Sequence, residues 1–399
     1  MHQVSIKPQW TIRQPGGAAL AERTVTLLVS VAEHGSLLQA CTALKVSYRH
    51  AWQLIRQGEA LLGAPLLHME RGKGSSLSPL AEKLVWADRR IAARLSPTLD
   101  SLASELQAEI DRVLQPAPTL LRVHASHGFA IETLHEFLGR AGVVNELRYC
   151  GSTEAVASLH MGACEIAGFH VPIGEFEPVA LEHYGQWLKP TSQRLIGIAT
   201  RRLGLMIAKG DPKKIYGIAD LARSDLRFIN RQEGSGTRFL LDLLLRKQGI
   251  AAAQVHGYEH CELTHAAVAA YVASGMADVG FGVETPARQF KLDFVPIQTE
   301  RYFLLCEERS LDTPAVRKTL EIVGSTEFKA AVDRLPGYQS NDAGSDDPAP
   351  SLLGLDGGVD QARRALAQRL TATARNRYSE KLRSNSRAAS RRQPACSAG

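Results

Sequence analysis

Residues 36–62, SLLQACTALKVSYRHAWQLIRQGEALL, decide how the first part of the chain folds. Ser36 stands before one apolar run, Leu37–Leu44, and Ser47 before a second, 48–62. A serine at either place can accept from the free N–H groups of a helix's first turn. Lys45-Val46 supplies the tight turn between them. Two short helices joined by a turn of three to four residues have helix-turn-helix spacing. Upstream, Leu20–Glu33 places Leu20, Thr24, Leu27, Leu28 and Val31 near one helical face and stops at His34-Gly35. Downstream, 66–70 reads as a strand, 71–76 as a glycine-rich basic tip, and Leu77-Ser78-Pro79 as the return into another helix, 80–95. Strand, tip and strand make a β-wing, so 20–95 is expected to be a winged helix-turn-helix.

The second helix of such a pair carries its N-terminal residues to the base edges of the major groove. Here these are Ser47, Tyr48, Arg49, His50 and Gln53. Arginine and glutamine suit paired contacts to bases, tyrosine and serine contacts to phosphate. Lys45, Arg56, Arg71 and Lys73 can neutralise phosphates around them. A small helical bundle with ordinary surface charge shares the periodicity; the basic wing favours the DNA reader.

Net charge does not help. The chain of 399 residues carries +6, but Gln361–Gly399 alone holds ten Lys/Arg and one Glu, about +9. The remainder is close to −3, so the excess reports a basic tail. Hydrophobic content of 44% allows sizeable cores. No apolar run approaches the roughly 18 residues of a membrane span, and the polar start lacks a secretory core. Six cysteines are scattered without a CxxC pair, which argues against a disulfide framework or a zinc site. A cytoplasmic location is expected.

Further divisions follow composition. Residues 1–19 form a weakly patterned leader. Residues 96–118 are a helical linker ending in Pro116-Ala-Pro118, and Pro97 is expected to interrupt or kink it. Residues 339–399 are low-complexity and expected to be disordered. Between them, 119–338 alternates strands and helices: strands at 120–125, 146–150 and 164–169, then 226–229, near Val255, and 278–281, with helices between. This alternation predicts parallel, doubly wound sheets in two lobes, with crossovers in 196–208 and near 294–306.

Ligands of open α/β sheets sit at the carboxyl ends of strands, where helix N-termini offer free N–H groups. Ser126 follows the first strand, Ser152-Thr153 the second, and Gly234-Ser235-Gly236-Thr237-Arg238 a strand of the second lobe. Each turn alone is an ordinary helix cap; three together form a donor-rich site for an anion. The histidines lack metal spacing, and no catalytic triad stands out.

Ser47-Tyr-Arg-His-Ala-Trp52, Gly72-Lys-Gly-Ser-Ser-Leu77 and Leu80-Ala-Glu-Lys-Leu84 resemble the DNA-binding domain of ModE-type regulators, a cousin of the LysR-type winged helix. The resemblance implies that the helix after the wing pairs two subunits. The apolar spacing Leu80, Leu84, Ile91, Leu95, Leu99, Leu102, Leu106 and Ile110 fits a long buried stripe. A twofold dimer would bind a pseudo-palindromic operator in double-stranded DNA. Asn230–Arg238, Thr264-His265 with Ala267-Val268, Ser274–Gly282 and Glu300-Arg-Tyr302 resemble periplasmic-binding-protein-like sensors related to molybdate-binding proteins. That resemblance implies an α/β multidomain chain whose second part is a bilobal type II binding fold. It implies Ser126, Ser152, Ser235, Thr237 and Thr264 as ligand donors, His127 and His170 as lining, and Arg238 as a carboxylate partner or a cap. Gly128 departs from the family pattern, where an acidic residue is expected.

The resulting expectation is a one-component transcription regulator, not an enzyme, that needs no cofactor. Its effector would be an oxyanion such as molybdate or tungstate. A small organic acid or metabolite is the alternative ligand, and a solute-binding transport component the alternative class.

Overall fold

Three helices and a hairpin build the N-terminal domain: α1 (Glu22–His34), α2 (Leu37–Leu44), α3 (Tyr48–Leu62), β1 (Leu67–Glu70) and β2 (Gly74–Leu77). The computed structural model describes residues 3–70, 74–114, 120–189, 191–341, 343–344 and 346–348. Ser36 and Ser47 cap as expected, accepting from Gln39 N and His50 N at 3.2 Å each. Lys45 takes the left-handed conformation (φ 54°) that ends α2 and turns the chain into α3. Gly58 lies in the middle of α3 because a Cβ there would meet Leu66 at 2.8 Å. β1 and β2 pair antiparallel from Leu67↔Leu77 to Glu70↔Gly74, so the wing is present. Its tip, with Arg71 and Lys73, lies outside the described residues, as do 115–119 and the tail from 349. The leader is not loose: Trp10 packs on this domain's core and its indole N–H donates to Asp88 at 2.9 Å.

α4 (Pro79–Leu114) is one continuous helix. Pro97 does not interrupt it; the helix runs through. Proline cannot donate to the carbonyl four residues back, that of Ala93. The Thr264 hydroxyl donates to that carbonyl instead, at 2.8 Å. Of the leucine stripe expected to pair two subunits, Leu84 is buried within the chain, whereas Leu95, Leu102 and Leu106 are exposed; Ala81, Val85, Ala103, Ser104, Ala108 and Asp111 also face inward.

The second part begins with β3 (Leu121–Ala125), α5 (Phe129–Arg140), β4 (Asn145–Tyr149), α6 (Ser152–His160), β5 (Ile166–Pro172) and α7 (Glu177–Tyr184). β6 (Gln193–Ile207) crosses to the second lobe, made of β7 (Phe228–Arg231), α8 (Gly236–Lys247), β8 (Cys261–Glu262), α9 (His265–Ala273), β9 (Val279–Val283) and α10 (Glu284–Gln289). β10 (Asp293–Glu307) returns to the first lobe, followed by α11 (Pro314–Gly324), α12 (Thr326–Asp333) and β11 (Tyr338–Gln339). The strand order is β4-β3-β5-β10-β6-β9-β7-β8. β3 runs parallel to β4 and β5, and β7 parallel to β8 and β9, but β6 and β10 are antiparallel to each other. The sheet is therefore mixed. No strand forms at Val255, which follows a short 3-10 turn and is buried as a single side chain; the strand lies at β8.

The two long strands explain the two lobes. On β6, Ile196, Ile198 and Ala199 enter the first lobe's core, whereas Leu203, Leu205 and Ile207 enter the second's. Arg201 sits where β6 changes cores. Its register partner on β10 is Glu300.

α4 ties both lobes to the N-terminal domain. Before Pro97 it packs on α9, with Arg94 paired to buried Glu262 at 2.6 Å. After Pro97 it covers the edge strand β4, where Ser101 and Ser104 accept from Tyr149 N (3.0 Å) and Leu147 N (2.8 Å). No single described helix is long and apolar enough to cross a membrane.

Candidate anion site between the lobes

A cleft of about 620 Å³ opens between the lobes. Ser126, His127, Ser152, Thr153, His170, Ser235, Gly236, Thr237 and Thr264 all line it. Arg238 does not. Its guanidinium lies 4.6 Å from the Tyr258 ring centre and pairs with Glu259 at 3.5 Å, away from the cleft wall.

Most of these hydroxyls already have work. Ser235 caps α8, accepting from Arg238 N at 3.2 Å. Thr264 caps α9 through Ala267 N and is tied to α4. Thr153 bonds His183 at 2.9 Å, and Ser126 bonds His170 Nδ1 at 2.8 Å. What the turns offer a ligand is chiefly their backbone: the starts of α5, α6, α8 and α9 leave early N–H groups without helical partners, at the positive ends of the helix dipoles. Gly234, at φ 78°, makes the left-handed turn that aims α8 this way.

Charge comes from residues that reasoning by turns missed. Arg201 and Arg231 line the cleft floor and are buried. Glu300 accepts from Arg201 Nε at 3.0 Å and lies 2.9 Å from Nη2. Burial lowers the Arg201 guanidinium's pKa, but Glu300 and the Tyr338 hydroxyl together more than offset this and hold it charged. Arg231 forms no ion pair among the described residues, although the Glu300 charge acts on it. It donates to Gln232 Oε1 (3.1 Å) and the Leu263 carbonyl (3.0 Å), both neutral. Burial, with Arg201 adding to it, pushes its pKa down to about 9, so it is still a cation at neutral pH. The signal was an arginine ending an apolar strand, Phe228–Arg231, and another following an apolar run on β6. A third missed group, Arg94, Pro97 and Thr98, comes from α4, which walls the cleft.

Three histidines share the cleft. Burial, then Arg231 and Arg201, lowers His127 to about 4. His170 and His265 fall the same way, first from burial and then from the neighbouring arginines and histidines. All three are neutral at pH 7. Between about pH 6.5 and 4 the unfolded state binds His127's proton and the folded state does not, so stability rises with pH across that window. Denaturant unfolding at pH 7 and pH 5 should show a loss at the lower value that His127→Gln reduces. An equal loss in wild type and variant would contradict the assignment.

Residues 23–82 match the family model "Bacterial regulatory helix-turn-helix protein, lysR family", and 135–324 match "PBP superfamily domain". The chain is 34% identical over 193 residues to "Uncharacterized protein YvgK" of Bacillus subtilis (strain 168), covering 48% of this chain and 62% of that protein, less than two thirds of its length. It is 36% identical over 106 residues to a Clostridium pasteurianum protein described as "Uncharacterized protein in ferredoxin 2Fe-2S gene 5'region", covering 26% of this chain and 94% of that one. Molybdenum-pterin-binding protein MopB of Rhodobacter capsulatus is 30% identical over 103 residues, 25% of this chain and 38% of that one. The chain belongs to one family with the Clostridium protein, and it joins a helix-turn-helix of the lysR-family description to a PBP-superfamily domain.

Proposed function

We propose that the cleft binds a small inorganic oxyanion, molybdate or tungstate first, and that this anion is the effector that sets DNA binding. Arg231 is the observation that carries the reading: a buried guanidinium with no ion pair among the described residues, its charge only partly offset by Glu300, is costly until an anion joins it. Four helix N-termini and the neutral histidines add donors without adding an opposing charge. The name of the Rhodobacter relative is the reason to put molybdate and tungstate first. The cleft volume also has room for a small carboxylate, the second reading.

At the DNA end, Arg49, Gln53 and Arg56 are exposed along one side of α3 and line a shallow hollow with Trp52. Arg49 and Gln53 read bases in this proposal, with Tyr48 and His50 beside them. Lys45, Ser47 and Arg56 hold phosphates, as do Arg71 and Lys73 of the wing. The exposed leucines of α4 supply the apolar stripe of a dimer interface.

The test titrates the full chain calorimetrically with molybdate, tungstate, sulfate and succinate. Operator affinity is measured in parallel, on duplexes selected from random sequence. An oxyanion that binds and shifts operator affinity supports the first reading. Response to succinate alone selects the second, and no binding by any of the four sinks both.

A further inference from the structure

We infer that a recess behind Gly128 receives one unprotonated, negatively charged oxygen of the effector, between Arg201 Nη1 and His170 Nε2. The inference rests on the anion reading of the cleft and adds where the charge is gripped. Among buried side-chain atoms in the described residues, Arg201 Nη1 and His170 Nε2 both lack a hydrogen-bond partner. Their residues are 4% and 6% exposed, and both line the cleft. Buried polar atoms are nearly always paired, so two orphans side by side need an explanation.

Gly128 shows that they share one space. A Cβ built on it would sit 3.5 Å from Arg201 Nη1, 3.6 Å from His170 Nε2 and 3.6 Å from Tyr302 Cε1. Those are ordinary contact distances, so the gap is the size of one methyl group or one oxygen. The backbone there is extended (φ −170°, ψ 147°), which any residue adopts. Glycine is not needed for the turn; its missing side chain is what leaves the gap open.

The gap presents fixed donors. Arg201 is held by Glu300 through its other two nitrogens. His170 stacks on the Tyr302 ring, with centres 4.0 Å apart and planes 12° apart. Its Nδ1 lies 2.8 Å from the Ser126 hydroxyl, whose alternative acceptor, the Gly168 carbonyl, is at 3.4 Å. With Nδ1 the nearer acceptor, the hydroxyl is assigned as the donor to it, which places the ring proton on Nε2 facing the gap. Two donors converging on one oxygen-sized space suit an acceptor-only oxygen of a tetrahedral oxyanion or a carboxylate.

Gly128→Ala fills the gap without removing a charge or a hydrogen bond. Wild type and variant, as full chains, are titrated calorimetrically with molybdate, tungstate, sulfate and succinate. The variant should bind the preferred anion at least about 30-fold more weakly, with a ligand-free melting temperature unchanged within about 2 °C. Nitrogen NMR of labelled histidine gives a second readout: the anion should shift the His170 Nε2 resonance in wild type and leave it unmoved in the variant. Affinity within threefold of wild type, with the resonance moving equally in both, would mean that the gap holds only a water, and overturns the recess alone. If wild type binds none of the four anions, the anion reading of the cleft falls and the recess falls with it.

Discussion

Arg231→Met is expected to lose anion binding by on the order of 100-fold or more, while the ligand-free protein stays at least as stable as wild type to within about 1 kcal/mol. The two halves of this result have one cause. In the ligand-free chain, the guanidinium is 8% exposed and hydrogen-bonds only neutral oxygens. Its desolvation is offset only in part by the Glu300 charge, and methionine removes that cost with a side chain of similar length. Losing the donor to the Leu263 carbonyl works the other way and costs about 1 kcal/mol. When an anion binds, the same guanidinium becomes a charge-assisted donor in a dry site, where each such bond contributes about 1.5–3 kcal/mol. Calorimetry for binding and urea unfolding for stability check the pair. A variant that binds normally would remove Arg231 from the site. One that is much less stable without ligand would show that Arg231 is a structural cation.

The N-terminal domain was legible almost to the residue. Its signals are local: Ser36 and Ser47 act on N–H groups three residues away, and the wing closes over a few residues. The second part was legible where strands and helices alternate and failed where partners are distant. Arg201 and Glu300 lie 99 positions apart and meet only through the register of β6 and β10. The turns at Ser126, Ser152 and Ser235 were read as side-chain donors, yet His170 engages Ser126, the start of α8 engages Ser235, and Tyr184 engages Ser152. Arg238 was chosen for following Ser235-Gly-Thr, but two positions into α8 its side chain turns to Tyr258. Pro97 was expected to interrupt or kink the helix; it does not interrupt it, and α4 packs on α9 and β4 along its length. Gly128 was noted as a departure from a family pattern, and only the folded chain gives that departure a physical meaning.

Pro97→Ala is expected to uncouple the two ends of the molecule: the anion should still bind, but the ratio of operator affinities with and without it should fall from the 5- to 150-fold typical of coupled sites to within about twofold of unity. The expectation follows from where α4 is fastened. Its first half is held to the second lobe by Arg94–Glu262 and by the Thr264 hydroxyl on the Ala93 carbonyl. Its second half is held to the first lobe through Ser101 and Ser104 on β4. If the lobes close on a ligand, these two sets of anchors move relative to one another. The helix between them can yield at Pro97, where one backbone hydrogen bond is missing and the freed carbonyl is held by the sensor domain. An alanine restores the N–H, which competes with Thr264 for Ala93 and stiffens the helix at that point. Ser101→Ala/Ser104→Ala reaches the same end differently, by loosening the second set of anchors at two serines that do not themselves line the cleft. Both variants should retain a normal response of melting temperature to the anion while losing its effect on DNA. If both keep the full operator response, α4 does not carry the signal and another route joins the cleft to the winged helix.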